Sequence, residues 1–358
     1  MLTLLSFIVV IGIIVFVHEF GHFLAAKLSG VRVEVFSLGF PPKLISWTRG
    51  ETEYQLAWIP LGGYVKMSGM ADESFDGEVD LKDPRGFTAQ PFWNKTFIIS
   101  AGVIMNILLG FLIYTTLVWS SGVGKMTGTT LTMVSENYPA AEAGLMEGDR
   151  IAEVDGKRVD DWETLTNTIR HYPGVPVSIS WMRGDSLMSS QITPRATPEF
   201  NISEVKMDTV GKIGILGTIV VEDVGVFKAA FYGADQVWSI VRLNAVSLGA
   251  LLTGRAKVKE LTGPLGIAKM SGDSARSGVA TFFSFIGMIS ISIAFLNILP
   301  IPMLDGGHLL FIIIEKIIGR EIPEKVKDNL LKVGMAALIL LVVVVSYHDV
   351  IRYYIGAN

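Results

Sequence analysis

The chain has 358 residues, of which 50% are hydrophobic and 18% are charged, and its mean hydropathy is +0.47. These values predict a protein that crosses a membrane several times and also carries a polar portion, and the chain is too long for a single domain. The formal net charge of -4 argues against a nucleic-acid partner, and the absence of cysteine excludes disulfide bonds and thiolate metal ligands.

The first predicted membrane span covers about residues 2–26. Residues 2–17 carry no charge, and at 1.5 Å per residue they form a helix of roughly 24 Å, which nearly crosses a hydrocarbon core of about 30 Å.

The span contains His18-Glu19-Phe20-Gly21-His22 near its end, and residues four apart lie on one face of a helix. Both imidazoles can therefore bind one metal ion, and Glu19 is near enough to accept a proton from a water on that ion. The alternative is a polar helix face that has this pattern by chance, although ionisable residues in a bilayer are costly unless they are used.

Three further apolar runs are long enough, or nearly so, to span a membrane as helices, at about residues 96–119, 279–304 and 330–347. Lys and Arg residues in the connections after the first and third spans predict that both connections are cytoplasmic and that both termini lie on the opposite side. The membrane domain thus has two parts, residues 1–125 and 277–358. Asn106, within the second span, is predicted to pack against a neighbouring helix rather than to act in catalysis.

Between the first two spans, two β-prone runs flank a Pro-x-Gly-Gly turn and predict a membrane-associated β-hairpin at about residues 54–67. One interpretation is an edge that accepts an extended substrate as an added strand, and the other is a hairpin that serves packing alone. The residues assigned to the substrate edge are Tyr54, Gln55, Leu56, Ala57, Trp58 and Ile59. The acidic residues between Asp72 and Asp83 predict a solvated loop.

Residues 126–222 have the composition of a soluble domain inserted between the second and third spans. A helix is predicted at about 162–170, with strands at 175–182 and 187–193. The run from Ala143 to Gly156, A-G-L-x-x-G-D-x-I-x-x-V-x-G, resembles PDZ domains of the bacterial, circularly permuted kind. That resemblance implies a peptide groove lined by Gly211, Ile213, Gly214 and Ile215.

The segment 223–276 contains an apolar run, at about 227–252, that is interrupted by charged residues. This pattern suits a helix that lies on the membrane surface, and the alternative is a helix that packs within a soluble domain.

The third span ends near a candidate for a third metal ligand. A catalytic zinc typically has three protein ligands and one open position, so two histidines leave one ligand to find. Pro300 and Pro302 break the helix and let Asp305 turn inward. His18 and Asp305 each lie at the inner end of a span that runs from outside to inside, so they are expected at the same depth. The alternative for Asp305 is that Asp-Gly-Gly forms only a turn, since this sequence is a common turn signal. His308 is a competing candidate for the third ligand, but we expect it to lie beyond the residues that bind the metal directly.

Taken together, the motifs resemble the site-2 protease family of intramembrane metalloproteases, in particular the regulator-of-sigma-E protease branch. The resemblance rests on H-E-F-G-H in the first span, P-L-G-G-Y-V-K-M in the hairpin, one PDZ-like domain, L-T-G-P-L-G-I, and N-x-x-P-x-P-x-L-D-G-G at the third span. It implies one zinc ion per chain held by His18, His22 and Asp305, with Glu19 as general base. It also implies that Asn297 holds the substrate or stabilises the reacting carbonyl. Three departures are the single PDZ-like domain, where many relatives have two, Val103, where proline is usual, and His348-Asp349, where Asn-Asp is common.

The expected fold is therefore a polytopic α-helical membrane protein, with four transmembrane helices and a membrane-associated β-hairpin, into which an α+β PDZ-like domain is inserted. The expected activity is a zinc endopeptidase that cleaves the membrane segment of single-pass proteins, of the anti-sigma-factor type or remnant signal peptides, with the lipid bilayer as its environment. The expected location is a bacterial inner membrane, with the termini and the PDZ-like domain extracytoplasmic and the active site near the cytoplasmic face. Two alternatives are a non-catalytic PDZ membrane scaffold and a metal-ion carrier.

Overall fold

The structure is a computed structural model that describes residues 1–70, 83–201 and 206–355. The predicted acidic loop, except for Asp83, lies outside the described residues. The chain divides into two compact units, Met1–Leu117 with Phe227–Asn358, and Val118–Val226. The predicted inserted domain, residues 126–222, falls within the second unit.

The helices of the described residues are α1 (Leu2–Leu28), α2 (Phe92–Ser121), α3 (Pro139–Glu142), α4 (Trp162–Arg170), α5 (Val226–Leu252), α6 (Pro264–Arg276), α7 (Val279–Asn297), α8 (Asp305–Ile318) and α9 (Glu324–Val350). The strands are β1 (Val33–Arg49), β2 (Thr52–Met67), β3 (Val123–Val134), β4 (Arg150–Val154), β5 (Lys157–Arg158), β6 (Val177–Arg183), β7 (Ser186–Ile192), β8 (Arg195–Asn201), β9 (Lys206–Lys212) and β10 (Ile215–Glu222).

Four of these helices, α1, α2, α7 and α9, are long and apolar enough to cross a membrane, and they correspond to the four predicted spans. The predicted end of the third span, residue 304, is wrong, because α7 ends at Asn297. Pro300 and Pro302 cannot continue the helix, since a proline lacks the backbone N–H and its ring clashes with the preceding turn. The helix α8 that starts at Asp305 was not predicted, and α5 has nearly the bounds of the predicted surface helix.

The first span packs through one stripe of its surface, because its buried residues recur every three or four positions. They are Ser6, Val10, Ile14, His18, Gly21, His22, Ala25 and Ala26. Val10 and Ile14 pack against Phe285 and Ile286 of α7. In a bilayer, such close packing, rather than the expulsion of water, drives helix association. The face of α1 that packs inside the unit is thus also the face that carries both histidines.

The predicted hairpin at 54–67 is wrong, because β2 runs unbroken through the Pro-x-Gly-Gly sequence from Thr52 to Met67. The hairpin is instead formed by β1 and β2, with Arg49 paired to Thr52 across a two-residue loop of Gly50 and Glu51. Gly50 has a φ of +65°, which only glycine adopts at little cost. Two-residue loops with a glycine first are typical of tight hairpins.

Register shifts fold this long hairpin into four paired segments. Phe36 pairs with Val65 on one side and with Tyr54 on the other, and Tyr54 pairs in turn with Trp47. The order across the sheet is therefore 43–49, 52–57, 33–38 and 63–67. Gln55 and Leu56 each pair with β1 on both sides as well. The prediction that Tyr54–Leu56 forms a substrate-accepting edge is wrong, because the hydrogen-bonding directions of these residues are already occupied by neighbouring segments.

In the second unit, the strand order is β10-β3-β4-β6-β7, with β5 paired to β4 and a separate β8-β9 pair. Helix α4 has the predicted bounds because the Asp161 side chain accepts a hydrogen bond from the Thr164 backbone N–H and caps its start. Leu165 and Ile169 of α4 pack with Ile151 and Trp181 of the sheet in one hydrophobic core.

The predicted peptide groove is only partly compatible with this packing. Ile213 is 2% exposed and belongs to the hydrophobic core, so its side chain does not line a surface groove. Its carbonyl accepts a hydrogen bond from the Ala140 N–H, and the Gly214 carbonyl accepts one from Ser135. Gly211 lies near the end of β9 and Ile215 begins β10, and their groove role stays a prediction.

Candidate metal centre

Helix α1 brings the two histidine side chains together one turn apart. The Nε2 atoms of His18 and His22 are 3.2 Å apart, and the two rings are nearly perpendicular, at 83°. Both residues are buried, and neither lies on the part of α1 that faces outward. The predicted pairing of the two imidazoles on one helix face is observed.

Asp305 reaches the same place from the junction of α7 and α8. Met303 has a φ of +81°, a left-handed conformation that is uncommon for residues other than glycine, and it turns the chain back after Pro302. The start of α8 then lies directly against the end of α7: a Cβ at Gly306 would collide with the backbone carbonyls of Ile298 and Leu299. Only a glycine next to Asp305 permits this approach, so the local sequence fixes where the carboxylate lies.

The Asp305 carboxylate completes a cluster of three potential metal ligands. Its Oδ2 atom is 3.3 Å from His18 Nε2, and its Oδ1 atom is 3.4 Å from His22 Nε2. Four ligands at about 2.0–2.1 Å from a zinc ion form a tetrahedron with edges of about 3.3–3.4 Å. Each histidine faces a different oxygen of the Asp305 carboxylate, at a separation close to such an edge, so the side chains present fit a zinc ion held by two imidazoles and one carboxylate. Within the described residues, this is the only group of three or more such side chains close enough to hold a metal ion.

His308, the competing ligand in the sequence, is not a member of this cluster. Its ring contacts Phe311 instead, edge to face, with 6.4 Å between the ring centroids. His308 therefore lies where we expected it, beyond the residues that could bind the metal directly.

Glu19 and Asn297 both lie at the cluster. Glu19 is half-buried and close enough to His18, His22 and Asp305 to interact with their charges. Its Cγ atom would be 3.0 Å from a Cβ placed on Gly63, so the fourth sheet segment runs beside it. The Asn297 Nδ2 atom is 3.3 Å from His18 Nε2. The structure therefore places an ionisable carboxylate and an amide next to the three candidate ligands.

The second span contributes contacts that the sequence did not identify as functional. Gly102 lies against both imidazoles, and Asn106, predicted as a packing residue, lies 3.3 Å from His18 Nδ1 through its Nδ2 atom. The His22 Nδ1 atom is 2.9 Å from the Ile98 carbonyl. The sequence does show an amide in the middle of an apolar span, which could have marked Asn106 as functional. It does not show which face of the helix Asn106 occupies.

Three of the six residues predicted as the substrate edge lie beside α1. Tyr54, Gln55 and Leu56 help to line an apolar cavity of about 490 Å³ between the sheet and three phenylalanines of α1. These phenylalanines are Phe16, Phe20 and Phe23. Ala57 is buried, whereas Trp58 and Ile59 are exposed. The structure thus brings Tyr54–Leu56 close to α1, but not as an open edge beside Glu19.

Comparison with known proteins adds independent information. Residues 6–341 match the model of peptidase family M50. A protein from Rhizobium meliloti (strain 1021) is 32% identical, over 97% of this chain and 96% of its own length. The regulator of sigma-W protease RasP of Bacillus subtilis is 29% identical over 99% of both chains, and the regulator of sigma-E protease RseP of Escherichia coli is 29% identical over 98% of both.

Among solved structures, the PDZ domain of the SdrC-like protein from Listeria innocua matches 25% of this chain and 92% of its own length, at 26% identity. The TM-score of this match is 0.21, and a score at that level carries no conclusion about the fold.

Proposed function

The chain belongs to peptidase family M50 and is a metalloprotease, and on that premise we propose that it is an intramembrane zinc endopeptidase that cleaves the membrane segment of single-pass proteins. The observation that carries this proposal is the cluster of His18, His22 and Asp305 on α1 and α8 beside Glu19, in which the two Nε2 atoms lie 3.2 Å apart and each lies 3.3 or 3.4 Å from one carboxylate oxygen. His18, His22 and Asp305 would hold one zinc ion per chain.

Held by these residues, a zinc ion would supply Lewis acidity and would make a water molecule nucleophilic near neutral pH. Glu19 accepts the proton of the attacking water, since it is the carboxylate beside the cluster that is not among the three candidate ligands. It then returns this proton to the nitrogen of the departing amine. The carboxylate is half-buried, so it can receive the proton while remaining screened from bulk water.

Asn297 is proposed to orient the reacting carbonyl. Its Nδ2–H groups lie at the same imidazole nitrogen that faces Asp305, at the end of α7. An amide at that point can donate a hydrogen bond to the oxygen on which negative charge develops, and such preorganised donors stabilise the transition state.

The substrate must unwind before cleavage, because a membrane helix hides its carbonyls in hydrogen bonds to the fourth residue along. Each backbone group released in lipid costs several kcal/mol unless it finds a new partner. We propose that the outer sheet segment that begins at Gly63, and not Tyr54–Ile59, provides these partners by strand addition. Its position beside Glu19 supports this choice.

The substrate class is inferred from the relatives, two of which are named as regulators of sigma factors. We propose single-pass proteins of the anti-sigma-factor type, or remnant signal peptides, in a bacterial inner membrane. The second unit, with its PDZ-like sequence, would restrict which substrates enter. The termini and this unit are proposed to lie on the extracytoplasmic side, because the connections after the first and third spans are rich in Lys and Arg.

The test uses the purified full chain in liposomes, with a single-span reporter protein whose fragments are resolved by mass. Cleavage that stops with a zinc chelator, returns when zinc is added back, and is absent in Glu19→Gln supports the protease. Binding of the reporter without cleavage, unaffected by the chelator, would instead indicate a PDZ scaffold. Zinc flux across the liposome without cleavage would indicate an ion carrier.

A further inference from the structure

Helix α2 contacts the Nδ1 atom of both imidazoles, which is the ring nitrogen that does not face Asp305. His22 Nδ1 is 2.9 Å from the backbone carbonyl of Ile98. A carbonyl can only accept, so this nitrogen carries the proton and donates it, and the Nε2 atom of His22 keeps a lone pair for a metal. Histidine ligands in metal sites are usually held in this way, by an acceptor for the other ring N–H.

The corresponding contact of His18 has the opposite chemistry. Asn106 is 0% exposed, and its Nδ2 atom lies 3.3 Å from His18 Nδ1. An amide N–H can only donate, and the Asn297 Nδ2 atom also lies 3.3 Å from His18 Nε2, so amide donors face both ring nitrogens of His18. His18 Nε2 lies 3.3 Å from Asp305 Oδ2, and it can bind a metal ion only when the ring proton is on Nδ1, which then needs an acceptor.

The other end of the same amide has no partner. Asn106 Oδ1 is a buried oxygen without a hydrogen bond to any described residue. A buried unsatisfied acceptor usually costs about 1–3 kcal/mol and calls for an explanation. A half-turn of the amide about its Cβ–Cγ bond exchanges the oxygen and the nitrogen at nearly constant shape, and it would place Oδ1 against His18 Nδ1.

We propose that Asn106 is a positioning residue for the metal ligand His18, which it orients through its amide oxygen. With the amide turned by this half-turn, Oδ1 would accept a hydrogen bond from His18 Nδ1–H, and the Nε2 lone pair would be free to bind the ion. The inference rests on the proposed function, since it presumes that His18 is a zinc ligand.

The surroundings of Asn106 hold its backbone still while the amide turns. Ser290 of α7 donates a hydrogen bond from Oγ to the Asn106 carbonyl, at 2.9 Å, and both residues are fully buried. The side chain is therefore anchored at its base between two spans, and His18 is the one polar contact of its amide among the described residues. An aspartate here could also accept a hydrogen bond from His18 Nδ1–H, whereas an apolar residue could not.

The test measures the zinc dissociation constant of the purified full chain by competition with a chromogenic chelator. Asn106→Leu removes the acceptor at similar volume, and Asn106→Ala is the second apolar variant in case the larger side chain prevents folding. Asn106→Asp retains the acceptor. Tyr114→Phe is the matched control, because it removes a hydrogen bond of the same helix pair, from Tyr114 Oη to the Ser284 carbonyl at 2.8 Å, without touching His18 or Asn106.

We expect the apolar variants to weaken zinc binding by about 10–100-fold, the usual effect of losing the partner of a ligating histidine. Asn106→Asp is expected to bind zinc as tightly as the wild type or more tightly, and Tyr114→Phe to match the wild type. Apolar variants with wild-type affinity would overturn the inference. Equal losses in Asn106→Asp and Asn106→Leu would also overturn it, because the acceptor would then be irrelevant. A wild-type chain that binds no zinc would overturn the proposed function itself, and the inference with it.

Discussion

The imidazole of His22 lies directly against the backbone of Gly102, at a separation that leaves no room for a side chain. A Cβ at residue 102 would collide with His22 Nε2 and would come within 2.7 Å of His18 Cε1. We therefore expect Gly102→Ala to displace the candidate ligands and to lower zinc affinity and proteolysis together. Zinc titration of the purified variant measures the first effect, and reporter cleavage the second.

The control for this variant is Gly12→Ala, on the same helix as the histidines but with open space around the added methyl. It should retain zinc and activity, because alanine favours a helix over glycine by up to about 1 kcal/mol. Wild-type zinc affinity in Gly102→Ala would show that the close approach of α2 does not position the histidines.

Met303 adopts a left-handed conformation two residues before Asp305. This conformation costs roughly 1–2 kcal/mol for residues with a Cβ, and it is worst for β-branched residues. Met303→Val should lower the thermal unfolding midpoint and speed the loss of zinc to a chelator, whereas Met303→Gly should keep the zinc. If the two variants lose zinc at the same rate, the turn does not depend on this backbone conformation.

The four-segment order of the sheet can be tested by cross-linking, because the chain has no cysteine of its own. Gln55 pairs directly with Ser37 and with Ser46, and directly opposed residues in a sheet have Cβ atoms about 4.5–5.5 Å apart. The double variants Gln55→Cys/Ser37→Cys and Gln55→Cys/Ser46→Cys should both form disulfides on mild oxidation. A turn at Pro60–Gly63 would instead oppose Gln55 to Ser68, so efficient bridging of Gln55→Cys/Ser68→Cys would contradict the observed order.

Asp149 ties together two strands and a turn in the second unit. Arg183 donates to it through Nε at 2.9 Å and through Nη2 at 2.7 Å, and the Met146 N–H donates at 2.8 Å. The hydrogen bonds from Arg183 hold the pKa of the Asp149 carboxyl below its ordinary value. A carboxyl with a lowered folded pKa stabilises the fold above its unfolded pKa of about 3.9, and this contribution is lost as the pH falls through the folded pKa.

Asp149→Ala should therefore destabilise this unit at pH 7, by about 1.5–3 kcal/mol for hydrogen bonds to a charged group. The difference from the wild type should shrink as the pH is lowered toward 3. Hydrogen–deuterium exchange of β4 and β6 in the full chain measures both effects. Asp160→Ala, which removes a carboxylate that is 70% exposed, should leave exchange unchanged. A pH-independent effect of Asp149→Ala would rule out ionisation as its source.

The features that follow from local spacing could be predicted from the sequence. The facing pair His18 and His22 depends only on helix geometry, and the start of α4 depends on one capping residue, Asp161. The prediction that Asp305 lies near His18 required one more constraint, namely that spans that run in the same direction end at the same depth in the membrane. The sheet could not be predicted, because strand pairing joins residues far apart in sequence. Two Gly-containing sequences, Gly50-Glu51 and Leu61-Gly62-Gly63, could each form the hairpin turn. Asn106 was missed as a contact of His18 because tertiary packing decides which face of α2 meets α1.

The central claim is that His18, His22 and Asp305 hold one zinc ion, and elemental analysis of zinc per chain tests it most directly. After dialysis, one zinc per chain should remain in the purified wild type and in the variants Glu19→Gln and His308→Ala, since neither variant lacks a candidate ligand. Asp305→Ala should lose its zinc under the same dialysis, and Glu19→Gln should have no proteolytic activity despite its full zinc content. Retention of one zinc per chain by Asp305→Ala, or an active wild type without zinc, would contradict the account.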